Sequence, residues 1–254
     1  MKEKITSLKK TARVAGMLYL AIVFTSLYAH IYVPLQIWVN GDAAATANNI
    51  LANEFLFRTC IVISLVEVII LLFLVLVLHR LFKQVNDHLA RLMVALAGVQ
   101  IPIAFVLSAF KLTSLMILKG EVASTFSSAQ PPDLAILFLE ITRYGGMPLE
   151  LLSGLWLFPF GMLVYRSRFI PHIFGVLLMI AGVGYMVDSF TFMLIPNYHA
   201  YTQVATLLFS GIGEVSIILW LLIKGVKDHI AIHVVSETKT TVRTSTGKLK
   251  EYIE

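Results

Sequence analysis

The chain is short of charge and of cysteine. Asp, Glu, Lys and Arg make up 14% of its 254 residues, against roughly 25% in a soluble domain, so a water-facing surface of ordinary extent cannot be built from it. Cys60 is the single cysteine, which excludes an internal disulfide and leaves the redox compartment unread. Only His30 falls well inside an apolar stretch, which argues against a haem held between span histidines. No phosphate-cradling glycine loop, HExxH helix or Ser–His–Asp arrangement is present. His229 and His233 have the spacing of a helical metal pair, but no third ligand accompanies them. The sequence therefore implies no cofactor and no metal.

Apolar sequence is what the chain has in abundance. Hydrophobic residues make up 58% of it and the mean hydropathy is +0.83. Six stretches, roughly 14–37, 57–79, 92–117, 147–165, 170–195 and 202–223, each approach the ~20 residues needed to cross a bilayer core about 30 Å thick. Little remains for a soluble domain. Residues 1–226 read as one all-α bundle of six transmembrane helices, and 227–254 as a polar, Thr-rich, mobile cytoplasmic tail. The net charge of +5 is no nucleic-acid signature, because the basic residues sit at helix ends, where they orient a protein and meet anionic lipid.

Lys2, Lys4, Lys9, Lys10 and Arg13 precede the first span; Arg80, Lys83 and Arg91 join the second to the third; Arg166 and Arg168 join the fourth to the fifth; Lys224 and Lys227 follow the sixth. The other side holds only Lys119 and Arg143. The positive-inside rule puts both termini in the cytoplasm of a cell (inner) membrane protein. Tyr28, Tyr32, Trp38, Tyr144, Tyr198 and Tyr201 form an aromatic belt at the outer interface, with Tyr165 at the inner one. The first span runs past signal-peptide length without a small-x-small cleavage site, and reads as an anchored helix.

Breaks fall between the spans. Asn40-Gly41-Asp42 ends the first, and Asp42 is placed to cap a short outer helix running to Glu54. The short connection Arg80–Ala90 makes spans two and three antiparallel neighbours. Asp133 to Tyr165 is too long for one straight crossing, and Gly145, Gly146 and Pro148 predict a break there: an outer helix over 133–144, then a crossing from 147. An interfacial helix followed by an ordinary span is the alternative. Glu67-Val68-Ile69-Ile70-Leu71-Leu72-Phe73-Leu74 resembles Glu214-Val215-Ser216-Ile217-Ile218-Leu219-Trp220-Leu221, and Glu150 holds a similar place in the fourth span, a pattern that three related hairpins would produce.

The functional signal is ionisable residues inside the spans. A charge at the bilayer centre costs at least ~2.5–3.5 kcal/mol, so each needs a partner or water. Glu67 and Glu214 fall near mid-span. Arg58, Lys111, Glu140, Arg143, Glu150, Asp188 and His30 fall in the outer half, while the inner half is nearly pure hydrocarbon. This asymmetry predicts a polar pocket open to the outside, lined by Glu67, Glu150, Asp188, Glu214, Arg143, Glu140, Lys111 and His30. Glu140 and Arg143 stand three apart and can pair on one helix face; Arg143 either does so or orients the carboxylates. Ser64 and Cys60 share a face with Glu67, and Ser210 and Thr206 lie one and two turns from Glu214.

Three readings follow. In the leading one the pocket binds or transports a small cation, a proton or an amine, since acidic groups outnumber basic ones. In the second the protein is an accessory or sensory membrane protein whose polar residues fix helix pairs. In the third it is an intramembrane enzyme using two carboxylates as acid and base. The lipid bilayer is the one certain partner, nucleic acid is not one, and oligomeric state is unread.

Gly154-Leu155-Trp156-Leu157-Phe158-Pro159-Phe160-Gly161, continued by Val164-Tyr165-Arg166-Ser167 and Phe169-Ile170-Pro171, forms a first motif. Gly175-Val176-Leu177-Leu178 through Ala181-Gly182-Val183-Gly184-Tyr185 to Asp188-Ser189-Phe190 forms a second. With Gly41-Asp42-Ala43-Ala44-Ala45-Thr46-Ala47 and the run from Glu214 to Lys224-Gly225-Val226, the chain over about 10–226 resembles the prokaryotic membrane family catalogued as domain of unknown function 4386. The resemblance implies a multi-pass bacterial or archaeal inner-membrane protein. It implies no activity, substrate or catalytic residue.

Overall fold

The computed structural model describes residues 2–121 and 131–226, with side chains from Leu8 and from Pro132 onward in the two segments. The tail 227–254, with His229 and His233, and loop residues 122–130 lie outside the described residues. The described chain is helical: α1 (Lys2–Ser26), a π-helical turn (Leu27–Tyr32), α2 (Val33–Ile37), α3 (Ala43–Ala52), α4 (Glu54–Phe82), α5 (Asp87–Gly98), α6 (Gln100–Leu118), α7 (Pro131–Arg166), α8 (His172–Leu194) and α9 (His199–Ile223). Six helical segments are long and apolar enough to cross a membrane, and the protein is a multi-pass membrane bundle.

Local chemistry sets the helix ends. The Asp42 carboxylate accepts from Ala45 N–H at 2.8 Å and starts α3, as its position in the sequence predicts. Asn86 caps α5 in the same way, accepting from Leu89 N–H at 3.0 Å. Span three consists of two helices in succession. Pro102 offers no N–H to the Gly98 carbonyl, and α5 gives way to α6 across Val99.

The expected break in span four does not occur. α7 is one helix of 36 residues with Pro148 and Pro159 inside it. Neighbouring helices hold the weak region. Thr142 donates to the Leu107 carbonyl at 3.4 Å, Ser189 donates to the Met147 carbonyl at 3.1 Å, and Gly145 lies against the Leu107 side chain. Freed backbone groups at membrane depth are tolerated when neighbours cover them.

The irregular backbone lies in span one instead. Pro34 has no N–H to return to the preceding turn, and the chain opens into the π turn just before it. The Cys60 thiol of α4 donates to the Ala29 carbonyl at 3.3 Å, supplying a donor where the ladder is weakened. The Tyr28 and Thr59 hydroxyls meet at 2.7 Å.

The spans form a ring in chain order, each packed on the next, with span one closing against span six. Both chain ends of the ring lie on one side: a Cβ on Gly16 would come within 2.9 Å of Leu222, and Gly225 faces Ala12. We call this the terminal side and the opposite one the far side. The tightest seam joins α7 and α8. A Cβ on Gly154 would stand 2.7 Å from the Gly182 carbonyl oxygen, and one on Gly161 2.7 Å from that of Gly175. The helices therefore meet backbone to backbone at two levels seven residues apart, as small-residue seams in membranes do. These four glycines stand in the two motifs singled out in the sequence, which are thereby explained as a helix lock.

The terminal half is filled with side chains. Tyr19, Trp156 and Phe160 stack together across the ring, with Tyr19–Trp156 centroids 6.3 Å and Trp156–Phe160 centroids 5.7 Å apart. Phe82 and Phe169 extend the stack from Phe160. A smaller apolar cluster around Ile37, Ile50, Phe57 and Leu115 occupies the far half beneath α3. Large apolar side chains such as Phe55, Leu194 and Leu35 project outward, as lipid-facing residues should.

Candidate functional site

The interior carboxylates lie between these two apolar regions. Glu67, Asp188 and Glu214 are bound by groups that the helix register brings opposite them. Tyr19 and Ser26 stand seven residues apart on span one, and seven residues turn a helix by nearly two full turns, so they share a face. That face meets α9 on one flank and α4 on the other. Tyr19 donates its phenolic O–H to Glu214 Oε2 at 2.6 Å. Ser26 donates to Glu67 Oε1 at 2.5 Å, and His30 Nε2 lies 3.2 Å from Glu67 Oε2.

The seam of α8 and α9 carries the second part. Thr202, Thr206, Ser210 and Glu214 recur every four residues on α9 and form one stripe. Asp188, 1% exposed, accepts the Thr202 hydroxyl on Oδ1 and has His199 Nε2 3.4 Å from Oδ2. The distance makes an ion pair when His199 is charged, but the imidazole is not aligned for a hydrogen bond. Thr206 donates to the Gly184 carbonyl at 3.0 Å. Tyr185 donates to Glu214 Oε1 at 2.8 Å, so both oxygens of Glu214 hold a phenol. Glu150 of α7 is half-buried and lies within electrostatic reach of Asp188 and Tyr185. Among the described residues it has no hydrogen-bond donor.

The remaining candidates stand apart from this set. Glu140 and Arg143 pair with each other at 3.6 Å, the second of the two roles expected for Arg143, whose guanidinium also lies 6.0 Å from the ring centres of Trp38 and Tyr144. Lys111 lies within electrostatic reach of Cys60 and forms no ion pair among the described residues. Arg58 bonds Glu54 one turn back at 2.7 Å. Lys119, just past α6, pairs with Glu121 at 3.1 Å and with Glu54 at 3.2 Å; these bonds, Glu121 first, hold its ammonium above the ordinary lysine range.

Sequence reasoning missed the partners: Tyr19, Tyr185, Ser26, Thr202 and His199. The tyrosines had a legible signal. Tyr belongs at membrane interfaces, where its hydroxyl is wet, so a tyrosine at mid-span already requires a polar partner.

Comparison with known proteins places this geometry in context. A family model described as "Domain of unknown function (DUF4386)" matches residues 14–225. An uncharacterized protein of Archaeoglobus fulgidus is 36% identical over 74 residues, which are 29% of this chain and 42% of that relative. The match thus spans less than half of the relative's length. No solved structure matches.

Proposed function

The chain belongs to the DUF4386 family, and from its interior we propose that it binds or transports a proton, a small cation or an amine, taken up from the far side. The observation that carries this reading is the choice of partners. Glu67, Glu150, Asp188 and Glu214 have no Lys or Arg in ion-pair range among the described residues. Glu67, Asp188 and Glu214 accept from hydroxyls and phenols, with imidazoles beside Glu67 and Asp188. Carboxylates withdrawn from water need a compensating charge or a proton, and here the protein withholds the charge, leaving it to a ligand. The aromatic stack on the terminal side and the polar groups beyond it support entry from the far side. With the basic residues of the loops, the positive-inside rule makes the far side the exterior of a cell membrane and the terminal side the cytoplasm.

A second reading has its own observation. Glu67, Glu214 and Asp188 each bond a neighbouring helix, as structural pairs in an accessory protein would. Flux separates the two. Purified protein in sealed vesicles is given an inward proton, sodium or methylammonium gradient and uptake is followed. Uptake should be abolished by Glu67→Gln and by Asp188→Asn and retained by Glu121→Gln. No uptake of any of the three, or uptake indifferent to both interior variants, overturns the reading in favour of structural pairing.

A further inference from the structure

Resting on that reading and narrowing it, we propose that the ligand is the proton and that the α8–α9 seam is its path, entered at Asp188 and ending on Glu214. The bonding of the carboxylates favours a proton over a metal ion. A bound cation needs oxygen lone pairs converging on one point. Both oxygens of Glu214 are taken by Tyr19 and Tyr185, and the two of Asp188 face Thr202 and His199. A proton needs only a lone pair and a chain of groups that both accept and donate, which hydroxyls and phenols do.

The stripe on α9 supplies that chain. Glu214 lies 15 residues beyond His199, about 22 Å along the helix at ~1.5 Å per residue. Thr202, Thr206 and Ser210 divide this length into steps of about 4.5–6 Å, each within the span of one bridging water. The Thr206 hydroxyl donates to the Gly184 carbonyl, which leaves its lone pairs free to accept. Ser210 stands beside the Tyr185 hydroxyl. The titratable groups facing the seam are Tyr19 from α1, Glu150 from α7, Tyr185 and Asp188 from α8, and His199 from α9; none pairs with Lys or Arg among the described residues. The balance is simple. One proton reaches the Asp188 carboxylate, each hydroxyl oxygen takes one proton and passes on its own, and the Glu214 carboxylate ends neutral with both phenols still protonated. Beyond Glu214 the path meets the ring stack of Tyr19, Trp156 and Phe160.

The test is infrared difference spectroscopy of the protein in lipid vesicles after a rapid acid step, with protons the only ligand supplied. A carboxylic C=O band should appear and be missing in Glu214→Gln. Thr206→Val, which removes the hydroxyl at nearly constant shape, should slow the rise of the band about tenfold at unchanged final amplitude, and Thr206→Ser should restore the rate. Ser210→Ala gives the same slowing by a second route should Thr206→Val fail to fold. A wild-type rate in Thr206→Val or Ser210→Ala, or a band that survives Glu214→Gln, overturns the path. Sodium or methylammonium uptake lost in Asp188→Asn, with no carboxylic band, defeats the proton path and leaves the proposed function standing. A band without uptake keeps the path and defeats transport.

Discussion

Gly175→Ala should weaken the bundle far more than the size of a methyl group implies. Its Cβ would stand 2.6 Å from the Gly161 carbonyl oxygen and 2.7 Å from Tyr165 N. Both are backbone atoms and cannot rotate away. Ordinary contact begins at 3.4 Å, so the shortfall is 3.4 − 2.6 = 0.8 Å, and α7 and α8 must part or tilt by that much over the whole seam. Overpacking of this kind costs typically ~1–3 kcal/mol, against which alanine returns up to about 1 kcal/mol of helix propensity. Gly146→Ala on α7 is the matched control: its Cβ would meet nothing within 4 Å, so only the propensity gain remains, at most about 1 kcal/mol of stabilisation. The pair should therefore differ by roughly 2 kcal/mol, about thirtyfold in the unfolding constant. Reversible unfolding in mixed micelles measures both. If Gly175→Ala unfolds within about 0.5 kcal/mol of Gly146→Ala, the backbone-to-backbone lock is refuted.

Two further outcomes follow from local geometry. Lys119 has its affinity for a proton raised by Glu121 and Glu54, so the tie between the far ends of α4 and α6 is present below the ordinary lysine value of 10.5 and is lost only as pH rises past the raised value; a Lys119→Ala penalty in thermal melts should be constant between about pH 7 and 9 and shrink with added salt, as for any exposed pair. The π turn Leu27–Tyr32 holds one more residue per hydrogen-bonded turn than an α-helix. Deleting the outward-facing Ile31 should convert it to α-helix and leave Val33 and Ile37 in register, whereas deleting Ile22 from regular α1 should shift every later side chain by about 100° and abolish folding. Monodispersity in detergent separates the two.

The architecture was readable because bilayer thickness imposes a length on every crossing, and hydropathy reports length directly. Six spans, the Asp42 cap and the antiparallel pairing of spans two and three needed no tertiary information. Where the reasoning failed, a breaker residue was judged without its neighbours. Gly145, Gly146 and Pro148 read as an interruption, yet Ser189 and Thr142 bind across the α6–α7–α8 seams and the helix continues; Pro34 drew no expectation, and there the ladder opens. The depth pattern of the carboxylates was legible for the same reason as the spans, since it is a count along the chain. Their partners were not, because which side chain faces Glu214 depends on helix order around the ring, and Tyr19 and Tyr185 lie 166 residues apart in sequence.

The two halves of the bundle impose different rules on anything that enters it. From Glu214 to the end of α9 at Ile223 there are nine residues, about 13 Å of helix, and the ring across that depth is closed by Tyr19, Trp156, Phe160, Phe82 and Phe169. Apart from the Tyr19 phenol, the side chains that close it are apolar. A charge driven through it would bear a desolvation penalty of several kcal/mol, whereas a charge arriving from the far side meets Asp188 and then the hydroxyls of α9. On the proposed reading, the far side is therefore the cheaper approach for a charge. Conversion to a two-sided path requires the aromatic layer to part, and the seams differ in how they could allow it. α7 and α8 are locked through their backbones, while span one meets α4 and α9 through apolar packing, with Gly16 against Leu222, and through the bonds of Tyr19, Ser26 and His30 to the two glutamates. On the proposed reading, protonating Glu67 and Glu214 should weaken those bonds and leave the α7–α8 contact, which is backbone to backbone, unchanged.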